Sequence, residues 1–360
     1  MNIIFHFGPP KTGTSAIQKW LSTNNNWLLT RGIYYPQHSL DPNGVSSGNL
    51  RSIFSGDKGN FEFSQKLFNE EVEKGKEKAC HTIIFSSEFF FRNLEILGEQ
   101  VPEAKFVGYL RFGLETLQSS YNQAVKRHGR TTVFAPGNHI QSTLSTLSIK
   151  IAKVGESRFI LRPYSKSLFF NHSLIPDFLE TVGIDASDVN TSIGRVNPSY
   201  SPAAIEVKRW FNQLESASLQ TRLDLALQGY GDEQPFSLLS DDIFEKSKSR
   251  YLLQLKRFLD KHEVKFADQF YAECAQLENH PYQAQNLSEK QFEKVLKDIV
   301  SHKKLTYLAL YTAYVQAKAN QHELNNPERV EILNRVVPWW VKAVAKIKAA
   351  LSLTRSEGER

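Results

Sequence analysis

The stretch "NIIFHFGPPKTGTS", residues 2–15, decides the fold at the start of the chain. Its first six residues are mostly apolar and stop at Gly8, the pattern of a short buried strand that ends in a turn. After the glycine-containing loop, apolar residues recur at helical spacing through "SAIQKWLSTN", residues 15–24. A strand, a glycine loop and a helix in this order predict the beginning of an α/β protein.

Further strands are predicted at intervals along the first half of the chain. Short apolar runs occur at residues 82–85, 105–110 and 158–162, and helical patterns lie between them. We therefore predict an α/β fold with a parallel sheet flanked by helices, because strand–helix alternation favours that arrangement. Helical patterns dominate from about Ser201, so the C-terminal part is predicted to be mostly helical, with a domain division into 1–280 and 281–360.

The composition is that of a globular protein with a modest basic excess. The 360 residues are 41% hydrophobic and 23% charged, which excludes a disordered chain. The net charge of +6 favours an anionic substrate, cofactor or surface. Cys80 and Cys274 have no C-x-x-C partner, which fits a reducing compartment. The apolar start is shorter than the roughly 7–15 residues of a signal peptide, so we expect a cytoplasmic protein.

The loop at residues 8–15 is predicted to hold an anion. Glycines let backbone N–H groups turn inward, and the following helix adds the positive end of its dipole. Lys11 stands two residues before Gly13, whereas the triphosphate-binding loop has its lysine directly after the second glycine. From this pattern alone, a tight strand-to-helix turn with a solvated lysine remains the alternative.

The sequence "PKTGTS", residues 10–15, resembles the 5'-phosphosulfate loop of the PAPS-dependent sulfotransferases, in which the lysine precedes the glycine. PAPS is 3'-phosphoadenosine 5'-phosphosulfate. The resemblance implies the P-loop-like sulfotransferase fold, PAPS as cofactor and PAP as its product. It also implies cofactor contacts from six loop residues: Pro10, Lys11, Thr12, Gly13, Thr14 and Ser15. Some branches of the family then have a tryptophan that stacks on adenine, but this chain has Ala16 there, so the adenine contact is not assigned.

A second motif fits the same family. Arg111 ends a predicted strand, and Ser119 stands eight residues later in the following predicted helix. In the sulfotransferases such a pair holds the 3'-phosphate of PAPS, and a guanidinium fork suits phosphate. Taken alone, the two residues would read as an arginine at a strand end and a serine on a helix face. A basic loop at Gly194-Arg195 weakly resembles one that closes over the same phosphate.

Glu88 occupies the place of the family's general base, after the strand that precedes Arg111. The alternative is an ordinary strand-end carboxylate, exposed to water or paired with Arg92. The resemblance implies that Glu88 takes the proton of an acceptor hydroxyl while the sulfuryl group is transferred from PAPS. Lys11 would stabilise the charge that builds on the leaving phosphate, and no metal is expected.

The acceptor is predicted to be a saccharide, a polysaccharide or a glycolipid, and not a nucleic acid. Residues 121–129 and 159–184 resemble bacterial sulfotransferase-like proteins, including some that act on surface polysaccharides, and the net charge agrees. The basic segment 126–130 either grips an acidic sugar chain or is a solvated helix end. Two other functions stay open: a P-loop-type kinase or NTPase, and a non-catalytic protein that binds PAP or another nucleotide.

The C-terminal tail, residues 335–355, has the pattern of a helix that lies on a membrane surface. Val337, Trp340, Val344, Ile347 and Leu351 form a stripe at spacings of three and four, with lysines mainly outside it. Tryptophan beside lysine suits a membrane interface. The alternative is a helix that docks on the protein through this aromatic face.

Overall fold

The computed structural model describes residues 1–9, 11–38, 48–56, 60–136, 142–187, 189, 200–214, 216–228, 230–231, 234–301, 306–320 and 323–357. Within these ranges, the side chains of residues 217, 218, 221 and 351–357 are not described. The chain divides into two compact units. The first comprises residues 1–116, 137–196 and 245–278, and the second comprises residues 117–136, 197–244 and 279–360.

A five-stranded parallel sheet, in the order β2-β5-β1-β6-β7, organises the first unit. Its strands are β1 (Asn2–Phe7), β2 (Ile33–Tyr34), β5 (Thr82–Ser87), β6 (Lys105–Leu110) and β7 (Phe159–Pro163). Two short strands, β3 (Phe54–Ser55) and β4 (Glu62–Phe63), pair antiparallel beside it. Because β1 is central and buried on both faces, its sequence is almost continuously apolar.

Each face of the sheet carries its own apolar layer. On one face, the ring of Phe5 stacks on Phe85 at 5.4 Å and on Phe106 at 5.6 Å between centroids. On the other face, Ile4 and Ile84 pack with aliphatic and aromatic side chains of the covering helices. The alternation follows from the two-residue period of a strand, which points neighbouring side chains to opposite faces.

Helices cover both faces of this sheet. The helices of the first unit are α1 (Thr14–Thr23), α2 (Asn25–Leu29), α3 (Gln65–Glu77), α4 (Phe90–Gln100), the start of α5 (Gly113–Arg127), α6 (Thr143–Val154), α7 (Leu174–Thr181), most of α10 (Asp241–Leu259) and α11 (Ala267–Gln276). A buried charge network joins α7 to the sheet. Asp177 accepts hydrogen bonds from Tyr109 on β6 at 2.7 Å and from Arg162 Nε on β7 at 3.1 Å.

The second unit is helical. It contains the remainder of α5, with α8 (Pro202–Asn212), α9 (Ala217–Leu227), α12 (Glu289–Ser301), α13 (Tyr307–Ala319), α14 (Glu328–Val336) and α15 (Trp339–Glu357). Its apolar core includes Trp210, Phe211 and Phe292, whose rings contact one another. The indole of Trp210 also donates a hydrogen bond to the carbonyl of Asn325 at 3.0 Å.

The predicted α/β class, the parallel sheet with helices on its faces and the helical C-terminal part are confirmed. The four predicted strands are observed, and β2 was missed because it has only two residues. The predicted division at 280 stays a prediction. One junction between the units falls at 278/279, but the second unit also takes residues 117–136 and 197–244.

Candidate functional site

Three of the predicted site residues lie at the carboxyl edge of the parallel sheet. Lys11 follows β1, Glu88 follows β5 and Arg111 follows β6, which are three adjacent strands. The connection after β1 runs towards β2 and the connection after β6 runs towards β7, so the chain leaves these two adjacent strands in opposite directions. Open α/β sheets bind ligands at such a switch point, outside the carboxyl ends of the strands.

The loop after β1 has an unusual backbone. Lys11 has a φ of 72° and Gly13 a φ of 79°, so both lie in the left-handed region. A lysine rarely adopts this conformation, and such outliers cluster where a loop is shaped for a ligand. Gly13 directly precedes α1, whose first N–H groups have no partners within the helix. The loop therefore ends at a helix terminus suited to an anion.

The loop hydroxyls have different environments. Thr12 is buried, and its hydroxyl donates to the carbonyl of Pro9 at 2.7 Å, which closes the loop. Thr14 is also buried, but its Oγ1 has no hydrogen-bond partner among the described residues. A buried hydroxyl of this kind is costly unless something completes its hydrogen bonding. Ser15 is half-buried on the first turn of α1.

Gly8 and Gly13 allow close approaches that a larger residue would prevent. A Cβ added at Gly8 would lie 1.9 Å from Thr14 Oγ1. A Cβ added at Gly13 would lie 2.8 Å from the Tyr164 ring. The left-handed φ of Gly13 also disfavours any residue with a side chain at this position. Gly8 thus lets the loop fold tightly against the Thr14 hydroxyl, and Gly13 leaves room for the side chains of Leu174 and Tyr164.

Lys11 and Glu88 interact electrostatically. Removal of water by the surrounding protein raises the pKa of the Glu88 carboxyl, and the charge of Lys11 opposes this rise. Desolvation lowers the pKa of Lys11, Glu88 acts in the opposite direction, and Arg111 adds to the lowering. Glu88 nevertheless keeps an exposed surface, so a molecule from solvent can reach its carboxylate. The buried Ser87 hydroxyl accepts from the N–H of Phe89 at 3.2 Å and supports this turn.

Arg111 connects the loop to the end of β7. One guanidinium nitrogen donates to the carbonyl of Lys11 at 3.1 Å. The guanidinium also lies over the Tyr164 ring, 5.2 Å from its centroid, and 3.9 Å from a carboxylate oxygen of Glu115. Arg111 is half-buried, so part of its fork still faces outward. The residue thus fixes the backbone of the loop as well as placing a cation beside it.

Tyr164 is a site residue that sequence reasoning did not assign. Its N–H donates to the carbonyl of Leu110 at 2.7 Å, and its ring contacts Gly13 and Arg111. The buried Arg162–Asp177 pair fixes the strand that carries it. The only available signal was its place directly after an apolar strand in "FILRPY", residues 159–164.

A cleft of about 300 Å³ adjoins the loop on the Arg111 side. It is lined by the rings of Tyr164 and Phe270, the carboxylates of Glu115 and Glu273 and the guanidinium of Arg111, among others. Its volume is at the lower end for small-molecule sites, enough for one ring-sized group. The cleft lies wholly within the first unit.

A buried polar group lies beneath the loop. His6 is completely buried, and its Nδ1 lies 2.7 Å from Ser86 Oγ. Burial lowers the pKa of His6 to about 3, so the imidazole is neutral. The Gln18 side chain donates to the carbonyl of Ser86 at 3.3 Å, and the Asn49 side-chain oxygen accepts from the N–H of Ser86 at 2.7 Å. Because Ser86 precedes Glu88 by two residues, this group fixes the end of β5.

The remaining predicted residues belong to the second unit or lie outside the described residues. Ser119 is half-buried on α5, in the segment that belongs to the second unit. Pro10 and the Gly194-Arg195 pair lie outside the described residues, so those predictions stay predictions. Among the described residues, no group of three or more His, Cys, Asp or Glu side chains is placed to hold a metal ion.

The basic segment 126–130 is partly engaged within the second unit. Arg127 lies 3.2 Å and Lys126 3.7 Å from carboxylate oxygens of Asp224, which is buried. These two cations therefore neutralise a buried charge, which favours the structural alternative for them. His128 to Arg130 are exposed.

Comparison with protein-family models and with characterised proteins found no significant match to this chain.

Proposed function

We propose that this protein is a PAPS-dependent sulfotransferase that moves a sulfuryl group to an acceptor hydroxyl, within a sulfotransferase-type fold. One observation carries the proposal. Three residues selected from separate motifs, Lys11, Glu88 and Arg111, meet at one edge of the sheet, where Arg111 donates to the Lys11 carbonyl and the charges of Lys11 and Glu88 interact. Each residue alone has an ordinary alternative explanation, but their convergence at a switch point favours a site.

The residues present fit the cofactor that this function requires. The Thr14 hydroxyl, which has no hydrogen-bond partner within the described part of the chain, and the N-terminus of α1 offer donors to the 5'-phosphosulfate, beside the Lys11 ammonium. The outward part of the Arg111 fork offers a bidentate partner for the 3'-phosphate, with Ser119 and Arg195 predicted to add to it. Thr12 contributes indirectly, because its hydroxyl closes the loop. Bound PAPS would supply an activated sulfuryl group.

Glu88 would act as general base. Its raised pKa strengthens the carboxylate as a proton acceptor, and its exposed surface can meet an acceptor hydroxyl. Lys11 would stabilise the negative charge that develops on the leaving phosphate oxygen. Its loop is already fixed by Arg111, so little reorganisation is needed when charge develops. The proposed roles of these residues require no metal.

The acceptor is proposed to be a saccharide or a glycolipid. This part rests on the resemblance to bacterial polysaccharide sulfotransferases and on the net charge of +6. It does not rest on Lys126 and Arg127, which pair with Asp224. A kinase or NTPase is less favoured, because Thr14 stands after Gly13 where the triphosphate loop has lysine. A non-catalytic PAP-binding protein would have no use for a base at Glu88.

The test is release of PAP from PAPS in the presence of a mixture of saccharide acceptors. We expect the wild-type protein to release PAP and Glu88→Gln to lose at least about 10²-fold in rate, the usual scale of general base catalysis. PAP binding by this variant should persist. Glu99→Gln, at an exposed position on α4, serves as the matched control and should keep full activity. Full activity of Glu88→Gln would exclude Glu88 as the base, and no release by the wild type with any acceptor would oppose the proposal.

A further inference from the structure

The helix α15 presents two apolar faces, and only one of them is covered. Val341, Ala345 and Ala349, spaced four residues apart, are buried, and the helix packs against α13. Residues four apart lie on one side of a helix, so this small-residue stripe is the docking face. Val337, two residues before the helix begins, is buried as well. The helix therefore docks through small side chains, and not through the aromatic face that the sequence suggested as an alternative.

The opposite face exposes large apolar side chains. The exposed fractions are 79% for Trp339, 58% for Trp340, 45% for Val344 and 62% for Ile347. At 100° per residue, these positions fall within one arc that is centred opposite Val341, Ala345 and Ala349. Single exposed apolar residues are common, but a contiguous group that includes two tryptophans marks an interaction surface.

The charged residues of this segment are all positive. The sequence has no Asp or Glu from residue 332 to residue 356. Lys346 and Lys348 are exposed, and helical geometry places them on opposite edges of the apolar face. Lys342 is half-buried at the boundary with the docking face and donates to the carbonyl of Asn334 at 3.0 Å. A partner for this surface must therefore be apolar at its centre and anionic around it.

We propose that α15 binds an anionic membrane surface. Trp339, Trp340, Val344 and Ile347 enter the boundary between headgroups and acyl chains, and Lys346 and Lys348 contact lipid phosphates. This is how amphipathic helices lie in a membrane interface, and tryptophan is enriched at that depth. Anionic headgroups attract nearby lysines. Within the described residues, no helix has the length and apolar character needed to cross a membrane, so the contact is interfacial.

A second copy of the chain fits the same face less well. A two-fold contact places the same patch on both partners, so Lys346 and Lys348 of the two copies would come together. No acidic residue of this segment is available to compensate their charges. A lipid surface instead supplies both the apolar centre and the negative rim. The proposal is independent of the sulfotransferase proposal, because none of these residues belongs to that site.

Vesicle flotation of the full-length protein tests this inference. We expect binding to phosphatidylcholine vesicles that contain phosphatidylglycerol, weaker binding to phosphatidylcholine alone, and a decrease with added salt. Ile347→Glu should weaken binding about tenfold or more, because it places a charge in the apolar face. Leu253→Glu on α10, at a residue that is 53% exposed, is the matched control and should bind like the wild type. Unchanged thermal unfolding of both variants shows that they fold.

A second measurement locates the contact. Lipids with brominated acyl chains should quench the fluorescence of Trp339 and Trp340, and the double substitution to phenylalanine should bind vesicles but show little quenching. Absence of wild-type binding to anionic vesicles would overturn the proposal, as would equal binding by Ile347→Glu. A dimer in solution that Ile347→Glu dissociates, without lipid binding, would assign the face to a second copy.

Discussion

The buried histidine beneath the loop gives a quantitative prediction of acid sensitivity. His6 is fully buried with its Nδ1 hydrogen-bonded to Ser86, and burial lowers its pKa from 6.5 to about 3. Below pH 6.5 the unfolded chain binds a proton on His6 that the folded chain does not. Because the folded pKa is the lower one, this residue makes folding less favourable as the pH falls from about 6.5 towards 3.

The magnitude follows from the two pKa values. Between pH 7 and pH 5, linkage gives a loss of about 2 kcal/mol in unfolding free energy from His6 alone, and about 4 kcal/mol by pH 3. His6→Gln removes the titrating group but keeps a polar side chain near Ser86. The wild type should therefore lose about 2 kcal/mol more than His6→Gln between pH 7 and pH 5.

Hydrogen–deuterium exchange of peptides that cover β1 and β5 measures this difference in the sheet itself. All other titrating groups are common to the two proteins, so the comparison isolates His6. Equal losses of protection in the wild type and in His6→Gln over this pH range would refute the reasoning. That result would mean that the imidazole is hydrated or charged in the folded protein.

Two further substitutions test the local geometry. Gly8→Ala places a methyl group 1.9 Å from Thr14 Oγ1, so we expect PAP to bind about tenfold more weakly or worse in calorimetry, while the sheet loses only about 1–3 kcal/mol of stability. Unchanged PAP affinity would mean that the Thr14 hydroxyl does not contact the ligand. Asp177→Asn leaves the Arg162 guanidinium buried without its charged partner, and should lower the unfolding free energy by about 3–5 kcal/mol in urea denaturation. A loss below about 1 kcal/mol would show that Arg162 finds water or another partner.

The sheet and the convergence at its edge could be predicted from the sequence for a simple reason. Parallel strands with short apolar runs bring their carboxyl ends to one edge, so residues such as Lys11, Glu88 and Arg111 must approach each other. Only the tertiary structure shows that the Arg111 guanidinium donates to the Lys11 carbonyl, because this bond joins residues 100 positions apart. Tyr164 was missed for the same reason.

Side-chain partners over long distances account for the other differences. Lys126 and Arg127 look like an accessible basic segment in the sequence, but Asp224 pairs with both of them. In the C-terminal tail, the predicted stripe included both Val337 and Trp340, yet Val337 lies before α15 and is buried, whereas Trp340 lies on α15 and is exposed. Apolar residues occur on two sides of this helix, so periodicity alone could not tell which side packs against the protein.

The most direct test of the central claim is calorimetric comparison of PAP with ADP, which carry two phosphates in different positions. We expect PAP to bind about ten- to hundredfold more tightly, as a charge-assisted hydrogen bond to the 3'-phosphate contributes about 1.5–3 kcal/mol. Arg111→Ala should remove this preference, and Arg111→Lys should restore only part of it, because lysine lacks the bidentate fork. Equal affinities for PAP and ADP in the wild type, or a preference that survives Arg111→Ala, would contradict the assignment of this site to PAPS.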